Sequence, residues 1–199
     1  MKTKIILAAG LLTSALWADF TLEYKMYNDK KSVVQYKDAQ HVLLSAGNMG
    51  GDVKAVRLFS DDKQYLIMDR GGKPKYIDMS TMKSGMKGRK PKSEMSEKPG
   101  FKIIKTDKTK MVAGIEGQIW TLEYEENGKK EHVDIVVTDD KKVVDAVHKY
   151  SMIMNQYSPP GLYYTMNPAK GYATIEFEGM ELMKFDGSNI PDNVFALSK

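Results

Sequence analysis

His132 and Asp134 stand two residues apart in a stretch that alternates apolar and polar side chains, so as strand residues they share one face. An imidazole and a carboxylate side by side are two of the donors a divalent metal takes. The same pair is equally a solvent-facing polar couple on a half-exposed strand. His148 falls beside Lys149 on the polar side of an expected helix and His41 stands alone; both read as structural or exposed. Adjacent carboxylates occur at Asp61-Asp62, Glu125-Glu126 and Asp139-Asp140, in turns or at a helix start, where the helix dipole by itself favours acid. A glycosidase needs two carboxyls facing each other about 5–10 Å apart, which neighbouring turn residues do not supply. The sequence holds no Gly-x-Ser-x-Gly elbow, His-Glu-x-x-His, P-loop or dinucleotide fingerprint. With no cysteine there is no thiol nucleophile, disulfide framework or Cys-type zinc site. The expectation is a non-enzymatic protein without a cofactor.

Methionine is the conspicuous residue, with fourteen in 199. Thioether side chains adapt to irregular apolar shapes. Met26, Met68, Met79, Met82, Met154 and Met183, with Val143, Val147 and Tyr150, are candidates to line a plastic pocket for an acyl chain or another apolar ligand; the other reading is an ordinary core. Met79, Met82 and Met86, with Met95, are also soft donors for copper(I), although their i, i+3, i+7 spacing is explained by one face of a helix. Tyr157, Tyr163 and Tyr164 flank Ser158-Pro-Pro-Gly161 beside Leu162, either as a contact surface or as packing across the mouth of a barrel.

Charge is concentrated. Between Lys83 and Lys110 there are ten basic residues against three acidic ones, although the whole chain is only +4. Lys87, Arg89, Lys90 and Lys92 are candidate contacts for anionic lipid headgroups or an acidic envelope partner. The alternative is a solvated loop that shields neighbouring strands from edge pairing. Few aromatics interleave with these charges, which disfavours nucleic acid.

The elements that must carry these residues are mostly strands. Phe20, Leu22, Tyr24 and Met26 alternate with polar neighbours, and Ser32–Tyr36, His41–Ser45, Val53–Ser60, Gln64–Met68 and Lys75–Met79 follow as short strands between turn residues. Asn48–Asp52, Asp61-Asp62 and Arg70–Pro74 read as those turns, which describes an antiparallel meander. A short helix from Ser80 and a mobile charged loop from Gly88 to Gly100 are expected next. Strands resume at Phe101–Lys105 and Lys110–Val112. Gln118, Trp120, Leu122 and Tyr124 line one face of the next strand, and Asn127-Gly128 turns it into Glu131–Val137. Asp139-Asp140 caps a helix with Val143, Val147, Tyr150, Met154 and Tyr157 on its apolar face, ended by Ser158–Gly161. Ala173–Phe177 and Glu181–Phe185 complete the strands before a last apolar contact near Phe195.

Phe20-Thr-Leu-Glu-Tyr24, Tyr65-Leu-Ile-Met-Asp69 followed by Tyr76-Ile-Asp78, Val112-Ala-Gly-Ile-Glu-Gly117 before a Trp-bearing strand, and Ile190-Pro-Asp-Asn-Val-Phe195 occur in an order that resembles a family of small exported bacterial proteins of unknown function. That family is in turn similar to the lipoprotein-carrier (LolA/LolB-like) fold. The resemblance implies an α+β half-barrel: a curved, incompletely closed antiparallel sheet with two helices packed on or in its concave face, around an apolar cavity. It implies no catalytic residues.

The first eighteen residues read as a cleavable secretory signal. Lys2 and Lys4 precede an apolar run from Ile5 to Trp17, too short for a hydrocarbon core of about 30 Å, and Ala18 or Ala15 offers a cleavage position. Residues 19–199 are expected to form one domain, free in the periplasm or secreted, with a basic mobile loop near 83–100. The function expected is binding of an apolar or lipid-like ligand. The alternatives are an interaction or sensor module with a filled core and, third, a copper(I)-binding protein.

Overall fold

The computed structural model describes residues 19–46, 53–60, 63–70, 73–79, 101–126, 129–155 and 160–196. Eleven strands form one antiparallel sheet: β1 (Phe20–Met26), β2 (Lys30–Asp38), β3 (His41–Ala46), β4 (Val53–Ser60), β5 (Lys63–Arg70), β6 (Lys73–Asp78), β7 (Lys102–Val112), β8 (Ile115–Glu126), β9 (Lys129–Thr138), β10 (Ala173–Phe177) and β11 (Met180–Asp186). Their order is β6-β5-β4-β3-β2-β1-β11-β10-β9-β8-β7, so two meanders meet along the β1–β11 pair and the sheet stays open, with β6 and β7 at its edges. Residues 80–100, which join those edges and include Met82 and the Lys87–Lys92 candidates, lie outside the described residues, as do residues 1–18.

The local chemistry of the turns fits the strands. β7 and β8 are joined by Ala113 and Gly114, both left-handed at φ 51° and 76°, with Val112 paired to Ile115. Positive φ at both central residues is the two-residue turn whose twist matches the flanking strands. Glu126 pairs with Lys129 around Asn127-Gly128, the position where the sequence turns the chain. At the β7 edge, residues 106–108 stand opposite a single residue, Ile119, and the Thr106 hydroxyl donates to the Ile119 carbonyl at 2.5 Å. Lysines at 102, 105, 108 and 110 and this bulge make β7 a poor template for a foreign strand.

Between β9 and β10 the chain forms α1 (Lys141–Asn155) and α2 (Pro160–Met166). The Asp140 carboxylate caps α1, accepting from the Lys142 and Val143 amides at 2.9 and 3.1 Å. α2 is a departure from the sequence reading, which treats Pro-Pro-Gly only as a stop. Proline at the first helical position loses no hydrogen bond, because that amide has no partner within a helix, and the Asn167 amide closes the turn onto the Tyr163 carbonyl at 2.9 Å. The helix expected from Ser80 lies outside the described residues. Met79 itself extends the β6 pairing, its amide donating to the Gln64 carbonyl at 2.8 Å.

The sheet buries apolar side chains on both faces. On the helix side, Phe20, Leu22, Tyr24 and Val34 meet Val143, Ala146, Val147 and Tyr150 of α1, together with Val112, Val136, Ile175 and Leu182 from the second meander. On the face of β8 and β9 opposite Val136, Trp120, Leu122, Ile135 and Val137 pack beneath Phe101 and Tyr172. A separate far-side cluster joins Leu58 to Ile190 and Phe195, where residues 192–195 make one 3-10 turn. The buried Asp19 carboxylate accepts the Ile190 amide at 2.8 Å and ties the two ends of the described chain together.

The second meander bends over the helix side. Lys110 of β7 and Glu176 of β10 are three strand positions apart, about 14 Å in a flat sheet, yet their side chains form an ion pair at 2.6 Å. Gly117 sits inside that bend: a Cβ there would stand 2.5 Å from Val136 Cγ1 and 3.0 Å from the Val137 carbonyl oxygen. Among the described residues, no helix is long and apolar enough to cross a membrane.

Candidate functional site

Strand register shows which candidate residues share a side. Leu22 pairs through Val34 to Leu44, and the same row runs through Arg57 on β4 to Leu66 and Ile77. The row of Tyr24 and Ser32 runs across β3 and β4 to Met68. Met26 belongs with Tyr24 by alternation, and Met79 belongs with Ile77. Met26, Met68 and Met79 therefore lie on the same side of the sheet as α1.

They do not converge on one point. Met26 and Met154 pack against the main core, whereas Met68 and Met79 are half-buried on β5 and beyond β6, several strands away. Val143 and Val147 are fully buried under α1, in contact with the sheet. Met183 is 52% exposed. The β1–β11 ladder steps from Glu23–Lys184 to Tyr24–Leu182, so Met183 is the extra residue of a bulge, with no partner opposite. Met86 and Met95, like Met82, lie outside the described residues, so of the four copper(I) candidates only Met79 is described.

At the centre of the helix side, Tyr24 and Tyr150 stack with ring centroids 5.9 Å apart. Burial pushes the Tyr150 phenol up to about 12 and raises that of Tyr24 further, with the Tyr150 hydroxyl adding to the effect. Both remain neutral donors across the physiological range. The Tyr24 hydroxyl is wholly buried and has no hydrogen-bond partner. An orphaned buried hydroxyl costs about 1–3 kcal/mol in lost hydration.

Two grooves open elsewhere. One, of about 490 Å3, lies beside the β10–β11 turn and includes Asp134, Glu176, Glu178 and Glu181 on its walls with Lys25 and Tyr27. Its charges are partly neutralised within the chain, Lys25 by Asp29 at 2.7 Å and Glu176 by Lys110. The other, of about 540 Å3, runs along α1 and α2 past Val144, His148, Tyr163, Asn167 and Tyr172. Here the Tyr163 hydroxyl is 3.4 Å from His148 Nδ1, and Asn167 donates to the Ser151 hydroxyl at 2.7 Å. Ser151 is buried and donates to the His148 carbonyl rather than to its ring, which is not the arrangement that activates a serine nucleophile.

The sequence pair His132 and Asp134 shares one face of β9, in the rows of Glu123 and Thr121. Asp134 accepts the Thr121 hydroxyl at 2.7 Å, and His132 Nδ1 is 4.0 Å from a Glu123 oxygen. Among the described residues, no group of three or more histidine, aspartate or glutamate side chains is arranged to hold a metal ion.

Three features escape sequence reasoning. Tyr24 looks like any strand tyrosine until its environment is known. The bulge at Met183 depends on the pairing of β1 with β11. The third is a cation over aromatics: Lys105 Nζ lies 4.5 Å from the Trp120 ring centre and 5.4 Å from that of Tyr172, with the two rings 4.7 Å apart. Only the residue types, not their spacing, signal it beforehand. No protein-family model matches the chain, and neither does any curated protein or solved structure.

Proposed function

We propose that this chain is an exported, non-enzymatic envelope protein that binds an apolar or lipid-like ligand on the helix side of its sheet. In this reading the open sheet is a half-barrel of the lipoprotein-carrier type, with α1 and α2 in its concave face. The observation that carries it is the recurrence of apolar residues past the helix, on rows that also hold Ser32, Arg57 and Lys75. Leu44, Leu66 and Ile77, then Met68 and Met79, are half-buried on the side where α1 buries its own face. Val143, Ala146 and Val147 fill the space beneath α1. The ligand accordingly lies beside the Tyr150–Met154 end of the helix, against β3–β6. The basic residues between Lys83 and Lys110 would favour an anionic headgroup or an acidic envelope partner.

Native mass spectrometry and lipid extraction of protein purified from its own periplasm test the proposal. A stoichiometric apolar adduct, with a loss of thermal stability on delipidation, is expected. Reproducibly empty protein whose stability is unchanged by delipidation would sink it. The close packing under α1 favours a second reading, an interaction or sensor module. Cross-linking in intact cells would then trap one dominant envelope protein in place of a ligand.

A further inference from the structure

We propose that Met111, Met152 and Met183 are reversible oxidation sites: surface thioethers that take an oxygen atom from a hydroperoxide and become sulfoxides while the fold stays intact. A methionine sulfoxide reductase then returns them to thioethers. The chain has fourteen methionines and no cysteine, so thioethers are the sulfur atoms that such an oxidant meets. These sites need no bound ligand, and Met183 serves here as a surface residue rather than as part of a pocket wall.

The fold sorts the methionines by access. Met111, Met152 and Met183 are 61%, 46% and 52% exposed, whereas Met166 and Met180 are buried in the main core. Met111 lies on the edge strand β7, opposite Glu116 rather than an apolar partner. Met183 is the bulged residue of β11, with no partner across the ladder. Met152 stands in solvent on α1, while Met154 two residues further on packs against the core.

Oxidation has opposite consequences for the two sets. The sulfur lone pair attacks one peroxide oxygen, an S–O bond forms and the O–O bond breaks. Sulfur gives up two electrons, and hydrogen peroxide is reduced to water. The new oxygen is polar and accepts hydrogen bonds. At an exposed position water supplies the donors. Around Met166 and Met180 the same oxygen would enter an apolar cluster, where it lacks a donor and crowds close packing, and both effects destabilise.

The test treats the folded protein with limiting hydrogen peroxide and reads each site by mass spectrometry of tryptic peptides. Residues 171–184 form one peptide that holds both Met180 and Met183, and residues 150–170 another that holds Met152 and Met166. Met111, Met152 and Met183 should be oxidised at least about 10-fold faster than Met166 and Met180, which peroxide reaches only when the fold opens. Protein modified at those three, with Met166 and Met180 intact, should keep its melting temperature. Reductases for both sulfoxide epimers, supplied with dithiothreitol, should restore the thioethers without denaturant. A variant carrying Met111→Leu, Met152→Leu and Met183→Leu should melt with the wild type and lose the fast uptake at these positions. Comparable oxidation of Met180 and Met183 within their shared peptide would overturn the proposal. So would a fall in melting temperature under peroxide that the leucine variant escapes, or sulfoxides that the reductases repair only in denatured protein.

Discussion

The two meanders of this sheet differ in where their apolar side chains are covered. The second, β7–β11, is packed on both faces at its centre, where α1 and the bend past Gly117 close one side and Phe101 and Tyr172 close the other over Trp120, while Ile104 and Met111 on β7 and Met183 on β11 stay exposed. The first, β1–β6, is fully buried on the helix side near β1 and β2 and only half-buried at Leu66, Met68 and Ile77. Geometry accounts for the difference. Eleven strands at about 4.8 Å span some 50 Å, and a fifteen-residue helix is only about 22 Å long. A sheet this wide cannot be covered by these helices, so its outer strands keep apolar residues where water or a ligand can meet them.

The sharpest way to break this comparison is to empty the covered half. Trp120 is wholly buried, pairs its indole N–H with Gln118 at 3.1 Å and carries Lys105 over its ring. Trp120→Ala should cost about 3–5 kcal/mol, read as a fall in the urea midpoint. A loss below about 1 kcal/mol would mean that the second meander is not the stable half.

Alkali tests the seam between the halves, where β1 meets α1. Tyr150 is held neutral up to about 12, whereas an unfolded chain ionises it near 10. Its folded value is raised, so its contribution is complete below pH 10 and is lost as pH rises from 10 to 12. The shift is worth about 2–3 kcal/mol, and Tyr24 adds to it in the same direction. Chemical denaturation across that window should show the decline, and Tyr150→Phe should make it shallower. An unchanged slope would place the Tyr150 phenol in water rather than against Tyr24.

How much of this was legible beforehand follows the range of the interactions. β1 is announced by the alternation of Phe20, Leu22 and Tyr24, and α1 by Asp140 and the spacing of Val143, Val147 and Tyr150, because those signals lie within one element. The pairing of β1 with β11 has no local signature. It joins residues such as Leu22 and Phe185 that are far apart in sequence, and only the completed fold sets the register that leaves Met183 bulged outward. α2 was hidden for a different reason: Pro160 and Gly161 are breakers by composition, and proline is tolerated there only because it opens the helix. Of the apolar candidates, those on α1 and β1 could be read from periodicity. That Met68 shares a side with them could not, since it requires the register of four successive strand pairs.

A milder perturbation loosens the helical cover without touching the sheet. The Asp140 carboxylate holds two amides of the first turn of α1, and Asp140→Ala should cost about 1 kcal/mol. Hydrogen exchange should rise first in α1 and in the β10 strand packed under it, with β3–β5 unaffected. Uniform acceleration across both meanders would show that the helix and the whole sheet open together.

The smallest stability effect belongs to the open end. Leu66 and Ile77 face each other across β5 and β6 and are only half-buried. A fully buried leucine is worth about 1.5–3 kcal/mol, so Leu66→Ser and Ile77→Ser should each cost about 1 kcal/mol or less. Retention of an acyl ligand should nonetheless fall, because these side chains lie on the face that the ligand would cover. The two measurements pull apart only if that face is free in the empty protein. Should Leu66→Ser destabilise as much as Trp120→Ala, the face is already occupied by another part of the chain. The apparent incompleteness of the first meander would then be structural, and the apolar-ligand reading would lose its surface.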